Sequence, residues 1–234
     1  MNHGILALSC LALTFTATGP AQAAKRTDSA EKVQSQNVEA ERSEAASRVT
    51  TWVSQSGDNA RLPYIVIDKP SAAMFLFDAK GKQLATAPVL IGIAAGDDAT
   101  PGIGSKDLSE IGPAEKTTPA GRFLAKFGVA AGNQKVLWVD YATSVAIHTI
   151  PPGKPREKRR ERILSRTIED NRITFGCINV PKVAYAKIRQ QFGKKGGYVY
   201  VLPDSKPIES VFPPLHAQPY LTRWRASPFA SLMR

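Results

Sequence analysis

Short apolar runs separated by turn residues fill the middle of this chain. They lie at residues 64–68, 74–77, 88–92, 122–127, 136–141, 145–149 and 198–202. Runs of this length, rich in Val, Ile, Leu and aromatic residues, predict β-strands. After the second run, the sequence Asp78-Ala79-Lys80-Gly81 is typical of a hairpin turn. The pattern predicts a mainly β core.

Two segments depart from the strand pattern. Residues 94–117 are rich in Gly, Asp, Pro and Ser, which predicts a long irregular connection of the kind that often borders a functional site. Pro181 suits the first turn of a helix, and apolar residues then recur at helical spacing as far as Phe192, just before Gly193. We therefore predict one helix from Pro181 to about Phe192.

The ends of the chain differ from this core. Residues 5–18 are uncharged and mostly apolar, and Ala21-Gln22-Ala23 matches the small-x-small pattern that a signal peptidase cuts. We predict a signal peptide over residues 1–23, with export to the periplasm or cell envelope, and expect no transmembrane segment in the mature chain. Composition predicts a flexible or partly helical polar tether over residues 24–60, the folded domain over residues 61–203 and a Pro-rich tail over residues 204–234.

Charge bears on the surroundings of the protein more than on its fold. The formal net charge is +11, and residues 1–23 contain no charged side chain, so the charge stays on the mature chain. A basic exported protein is attracted to the anionic polymers and lipid headgroups of a cell envelope. Nucleic acid is not expected as a partner outside the cytosol.

The candidate nucleophile is Cys177, because the other cysteine, Cys10, lies within the predicted signal peptide. A lone thiol in an oxidising compartment is open to oxidation, so we favour nucleophilic chemistry over the alternative of a small buried hydrophobic residue. Gly176 allows the backbone to approach an acyl group closely, and amide N–H groups of this turn are candidate oxyanion donors.

A thiol nucleophile needs a base, and the mature chain offers His148 and His216. His148 ends a predicted strand, whereas His216 lies in the Pro-rich tail, so only His148 has a rigid element to hold it near the sulfur. One cysteine and two histidines far apart in sequence do not make a metal site, and no cofactor is expected. Together these residues predict an acyl-transfer thiol enzyme.

The motif around these residues resembles the YkuD-type L,D-transpeptidase family, whose signature is a His on a strand and then Ser/Thr-His-Gly-Cys-x-Arg. The chain has His148-Thr149 and Thr174-Phe175-Gly176-Cys177-Ile178-Asn179, and the family's Thr-Pro-x-Gly-x-Phe element is present at residues 118–123. The resemblance covers residues 62–203 and implies a β-sandwich or distorted barrel with one helix after the cysteine. Three features differ: Phe175 replaces His, Asn179 replaces Arg, and the segment between the histidine and the cysteine is long.

The resemblance implies an enzyme of peptidoglycan. Cys177, deprotonated by His148, would attack the third residue of a tetrapeptide stem, expel the terminal D-Ala and pass the acyl group to an amine. The main-chain carbonyl of Thr149 would orient the imidazole. We expect Thr174, Phe175 and Asn179 to contact the stem; alternatively, Thr174 and Asn179 close turns through side-chain bonds to the backbone.

The long segment between base and nucleophile is strongly basic. Residues 154–166 carry seven Lys or Arg against two Glu, at spacings that allow a short exposed helix. Because both ends of the segment adjoin the site, we expect a mobile lid whose Arg159, Arg160 and Arg162 bind carboxylates of stem peptides. The alternative is a solvated surface segment.

Two other functions stay open from the sequence. The same residues would serve a thiol carboxypeptidase or cross-link hydrolase if water replaced the amine acceptor. The substitutions Phe175 and Asn179 also leave open a catalytically degenerate module that only binds the cell wall.

Overall fold

The computed structural model describes residues 42–152 and 155–217, and the predicted signal peptide lies outside these ranges. The strands are β1 (Tyr64–Asp68), β2 (Ala73–Phe77), β3 (Gln83–Pro88), β4 (Ile91–Gly92), β5 (Gly121–Ala130), β6 (Gln134–Asp140), β7 (Val145–Thr149), β8 (Arg172–Thr174), β9 (Ile178–Val180) and β10 (Gly197–Val201). The helices are α1 (Glu44–Ser56), α2 (Arg159–Arg162), α3 (Ile168–Asn171), α4 (Lys182–Phe192) and α5 (Ile208–Val211).

Eight of the strands form one sheet in the order β3-β2-β1-β10-β5-β6-β7-β9, and β4 pairs with β8. The pairs β1–β10 and β7–β9 are parallel, whereas the other neighbours in the large sheet are antiparallel. Leu90, two residues after β3, exchanges main-chain hydrogen bonds of 3.0 and 2.9 Å with Asn179 of β9. This seam joins the two ends of the sheet, so the fold is a nearly closed barrel. The predicted mainly β fold is confirmed.

Strand β1 is buried on both faces because alternate residues point into two different cores. Ile65 and Ile67 belong to a first core, which also receives residues of α4. Tyr64 and Val66 belong to a second core, beneath α1. Burial on both faces explains why this strand reads as a continuous apolar run rather than as an alternating one.

Helix α1 lies in the segment predicted to be a tether. Val49, Trp52 and Val53 are buried in the second core at the i, i+3 and i+4 spacing of one helix face. Ser43 accepts the amide of Ala46 at 3.0 Å and caps the helix. The folded part therefore begins before residue 61, because a few apolar residues at this spacing are enough to fix the helix to the sheet.

The predicted tail also contributes to the folded part. Phe212 and Leu215 are buried in the second core, and a 3-10 turn spans Pro213–Ala217. The predicted irregular connection before β5 contains two short 3-10 turns, Ile103–Ser105 and Pro113–Glu115. Among the described residues, no helix combines the length and apolar character needed to cross a membrane.

Candidate active site

The parallel pairing of β7 with β9 determines which side chains can meet. Ile147 pairs with Ile178, and His148 pairs with Asn179. Both isoleucines are buried in the first core. Because side chains alternate along a strand, His148 and Asn179 lie on the opposite face, as does Cys177 just before Ile178. The predicted base and nucleophile thus lie on one face of neighbouring strands.

His148 is held by the carbonyl that follows it. Its Nδ1 lies 2.8 Å from the main-chain oxygen of Thr149. A carbonyl can only accept, so Nδ1 carries the proton, and Nε2 of a neutral ring is left as the proton acceptor. Burial lowers the pKa of His148, the bond to Thr149 opposes this, and the charge of Arg159 adds to it. The imidazole is therefore kept neutral and able to act as a base.

Cys177 is half-buried, and its thiol donates to the main-chain oxygen of Ser144 at 3.6 Å. Ser144 has a φ of 59°, in the left-handed region that non-glycine residues seldom adopt. Burial raises the pKa of Cys177, while a backbone hydrogen bond from Ala146 and the charge of Arg159 lower it. At rest the thiol is protonated, so nucleophilic attack requires that the proton be removed by a base.

The turn before Cys177 requires glycine at residue 176. Gly176 has a φ of 120°, and a Cβ atom there would lie 2.7 Å from the carbonyl oxygen of Thr117. Its N–H donates to the hydroxyl of Thr174 at 3.1 Å, and that hydroxyl donates to the carbonyl of Cys177 at 2.6 Å. The amide of Gly176, a candidate oxyanion donor, is thus engaged within the turn. Thr174 is buried and closes the turn, the alternative role considered for it.

Thr118 supports this turn from outside it, a role that cannot be predicted from the sequence. Its hydroxyl donates to the carbonyl of Gly176 at 2.8 Å and accepts the amide of Gly92 at 2.9 Å. The Thr-Pro-x-Gly-x-Phe element marked this threonine as part of a motif. Its partner lies 58 residues away along the chain, so the motif alone could not indicate the contact.

A fully buried lysine fixes the segment that carries Thr118. The ammonium of Lys69 lies 2.5 Å from the carbonyl of Gly96, 2.9 Å from that of Thr118, 3.0 Å from Asp97 and 3.2 Å from Asp204. Burial raises the pKa of Asp97, but hydrogen bonds from three backbone amides and from Lys69 outweigh it and hold that pKa well below the usual range. This cluster ties the connection before β5 to the end of β1.

Asn179 links His148 to Arg159. The Oδ1 atom of Asn179 accepts from Nη1 of Arg159 at 2.8 Å, and since arginine only donates, this contact sets the orientation of the amide. Its Nδ2 atom lies 3.5 Å from Nδ1 and 3.4 Å from Nε2 of His148. Such similar distances place Nδ2 over the face of the ring rather than in its plane. The side chain is fully buried, so it faces the base rather than a surface open to substrate.

The described part of the basic segment, residues 155–166, contacts the domain at several points. Ile163 is buried, and the side-chain amide of Asn171 donates to the carbonyls of Arg162 and Val89, each at 3.3 Å. The three arginines expected to bind carboxylates have different surroundings. Arg159 reaches Asn179, Arg162 donates to the carbonyl of Asp170 at 3.1 Å, and Arg160 is exposed. The structure brings only Arg159 of these three into contact with the site.

Phe175 lies at the edge of the site beneath a lysine. The ammonium of Lys116 is 3.7 Å from the centre of the Phe175 ring, which is cation–π geometry. His216, the other histidine considered, is exposed in the C-terminal 3-10 turn. Within residues 42–152 and 155–217, no group of three or more His, Cys, Asp or Glu could hold a metal ion.

No family model and no curated protein matches the chain. The solved structures found include L,D-transpeptidases, the family that the sequence motif resembles. A mutant L,D-transpeptidase of Enterococcus faecium is 18% identical, with 59% of this chain and 49% of that chain covered and a TM-score of 0.34. The L,D-transpeptidase of Xylanimonas cellulosilytica is 15% identical, with 60% of each chain covered and a TM-score of 0.36.

A third similar structure is that of the helical cell shape determining protein Pgp2 from Campylobacter jejuni, also a mutant. It is 14% identical, with 79% of this chain and 65% of that chain covered and a TM-score of 0.39. In each of the three cases the match spans less than two thirds of the other protein. Likeness at this level transfers neither an activity nor a substrate to this chain.

Proposed function

We propose that this chain is an exported L,D-transpeptidase, a thiol acyltransferase that acts on the stem peptides of peptidoglycan. The observation that carries the proposal is the placement of Cys177 and His148 on one face of β7 and β9, with Nδ1 of the imidazole held by the carbonyl of Thr149. A half-buried thiol on the same face as a neutral, oriented imidazole suits acyl transfer through a thioester. The substrate class comes from the motif resemblance.

The reaction would proceed in two balanced steps. Nε2 of His148 takes the proton of Cys177, and the thiolate attacks the carbonyl carbon of the third stem residue. Collapse of the tetrahedral intermediate breaks the bond to the terminal D-Ala, whose amine leaves with the proton held by His148. An acceptor amine then attacks the thioester and passes a proton to His148, and the released thiolate recovers that proton.

The amide of Gly176 is not free to stabilise the oxyanion of this mechanism in the present arrangement. Because its N–H already donates to Thr174, either the turn rearranges when substrate binds or other donors meet the oxyanion. Phe175, with Lys116 above it, is proposed to pack against the stem peptide where the family has a histidine. Arg160 and Arg162 are proposed to attract stem carboxylates at long range.

The test is covalent capture of the nucleophile. The mature chain is incubated with tetrapeptide stems or with a carbapenem, and its intact mass is measured. We expect a mass increase located on Cys177 and none in the Cys177→Ala variant, whose small truncation at a turn should leave the fold unchanged. A wild-type chain that stays unmodified with both reagents would reject the enzyme and favour the wall-binding module.

The identity of the acceptor needs a second measurement. Muropeptide products are compared with and without an added amine acceptor. Cross-linked or amine-capped products that depend on both the acceptor and Cys177 support the transferase. Hydrolysed stems alone, in the presence of excess amine, would assign the same site to a carboxypeptidase or cross-link hydrolase.

A further inference from the structure

The side chain of Arg159 is built into the site rather than displayed on the surface. Only 11% of it is exposed, although it belongs to a four-residue helix in a strongly basic segment. Its Nε atom pairs with Glu157 at 2.5 Å, and its Nη1 atom donates to Asn179 at 2.8 Å. Two separate contacts therefore fix the plane of the guanidinium.

We infer that Arg159 is a positioning residue for thiol chemistry at Cys177, acting through Asn179 on the imidazole of His148. The inference rests on the proposed function insofar as His148 is the base. The connection is direct: Arg159 holds Oδ1 of Asn179, and the same amide places Nδ2 over both ring nitrogens of His148. The guanidinium is thus two contacts away from the nitrogen that accepts the proton.

The charge of Arg159 also acts on the protonation of Cys177 and His148. An arginine remains protonated at any physiological pH, so it favours a thiolate and disfavours an imidazolium nearby. Both effects are present, because the charge of Arg159 lowers the pKa of Cys177 and that of His148. Other charged groups near the site include Glu157, which pairs with Arg159, and Lys116, which lies over the ring of Phe175.

This assignment separates Arg159 from the other arginines of the segment. A cation that only gathers carboxylates would act on substrate binding and leave the thiol unchanged. A positioning cation changes the thiol itself, including its reaction with a small neutral reagent. Arg166 provides a matched comparison, because it is an exposed arginine in the same segment.

The experiment measures how fast iodoacetamide alkylates Cys177 as a function of pH in four chains: wild type, Arg159→Met, Arg159→Lys and Arg166→Met. For Arg159→Met we expect a rate about tenfold lower at pH 7 and a pH midpoint moved upward, the low end of the effect of one nearby charge. Arg166→Met should match the wild type. Arg159→Lys should recover part of the rate, because lysine restores the charge but cannot reproduce the two-sided contact.

The His148 imidazole gives the second readout, by its NMR titration. Its pKa should rise in Arg159→Met and stay unchanged in Arg166→Met. Wild-type alkylation and titration curves in Arg159→Met, or equal changes in Arg159→Met and Arg166→Met, would overturn the inference. If Arg159→Met does not fold, the same measurements are made on Arg159→Lys. Alkylation and titration curves equal to those of the wild type would then contradict a role for the joint contact of Arg159 with Glu157 and Asn179. Because iodoacetamide needs no stem peptide, failure of the acylation assay and failure of this inference are distinguishable.

Discussion

The contacts of Lys69 predict a large and specific loss of stability when its charge is removed. In Lys69→Met, a side chain of similar length keeps its apolar stem but loses an ammonium that has four oxygen partners within 3.2 Å. Removing one partner of a buried ion pair costs about 3–5 kcal/mol of folding free energy. The lower end applies here, because Asp97 keeps its backbone amide donors and Asp204 keeps Arg172 at 2.6 Å.

A loss of about 3 kcal/mol lowers the melting temperature of a domain of this size by roughly 6–12 °C. The assay is urea and thermal unfolding of Lys69→Met beside the matched control Lys206→Met. Lys206 lies 2.6 Å from Asp98, but the two side chains are 44% and 75% exposed, so loss of this pair should change stability little. Equal unfolding midpoints for the two variants would refute the role given to the buried cluster.

The effect of Lys69→Met on stability should also depend on pH. The pKa of Asp97 is lowered in the folded protein, so its carboxylate stabilises the fold fully above the ordinary carboxyl pKa of about 3.9. That contribution is lost as the pH falls further. Without the ammonium of Lys69, the pKa of Asp97 moves back toward its ordinary value. The stability difference between wild type and Lys69→Met should therefore narrow below about pH 4.

Three further predictions concern the cysteine turn. Thr118→Val removes the hydroxyl that bonds the buried carbonyl of Gly176 and the buried amide of Gly92. It should lower the free energy of unfolding in urea by about 2–4 kcal/mol and slow the acylation of Cys177. Unchanged values would contradict the hydrogen bonds assigned to Thr118. Gly176→Ala should melt well below Gly132→Ala, because both glycines have positive φ but only a Cβ at residue 176 meets a backbone oxygen. Since burial raises the pKa of Cys177, its alkylation rate should still be rising above pH 8.5, and a plateau below pH 8 would contradict a protonated resting thiol.

The uninterrupted apolar runs made most of the fold predictable. The runs over β1 and β7 and the helical spacing of α4 correspond to the structure, because a run of about five apolar residues indicates a strand and a repeated helical spacing indicates a helix. Strands β8 and β9 have three residues each and carry no period, so no pattern could reveal them. The packing of helix α1 into the core could not be predicted, because polar residues dominate its composition and only one face is buried.

In the candidate site, the reactive residues could be predicted from the sequence, whereas their supporting contacts could not. Residue type and motif were enough to single out Cys177 and His148. The contacts of Thr118 with Gly176 and of Arg159 with Asn179 join segments far apart along the chain. Charge spacing marked Arg159, Arg160 and Arg162 alike, because it cannot say which side of a four-residue helix packs inward. Only the folded arrangement distinguishes them.

The seam at Asn179 links the closing of the barrel to the support of the predicted base. The backbone of this one residue closes the barrel on Leu90, while its side chain covers the imidazole of His148. A fluctuation that parts the two strand ends leaves the backbone of Asn179 paired with β7 alone, so the residue whose amide lies over the ring loses one of its two neighbours. Hydrogen exchange at the Leu90 and Asn179 amides therefore reports how readily the seam opens, and a molecule bound across the seam would slow that exchange.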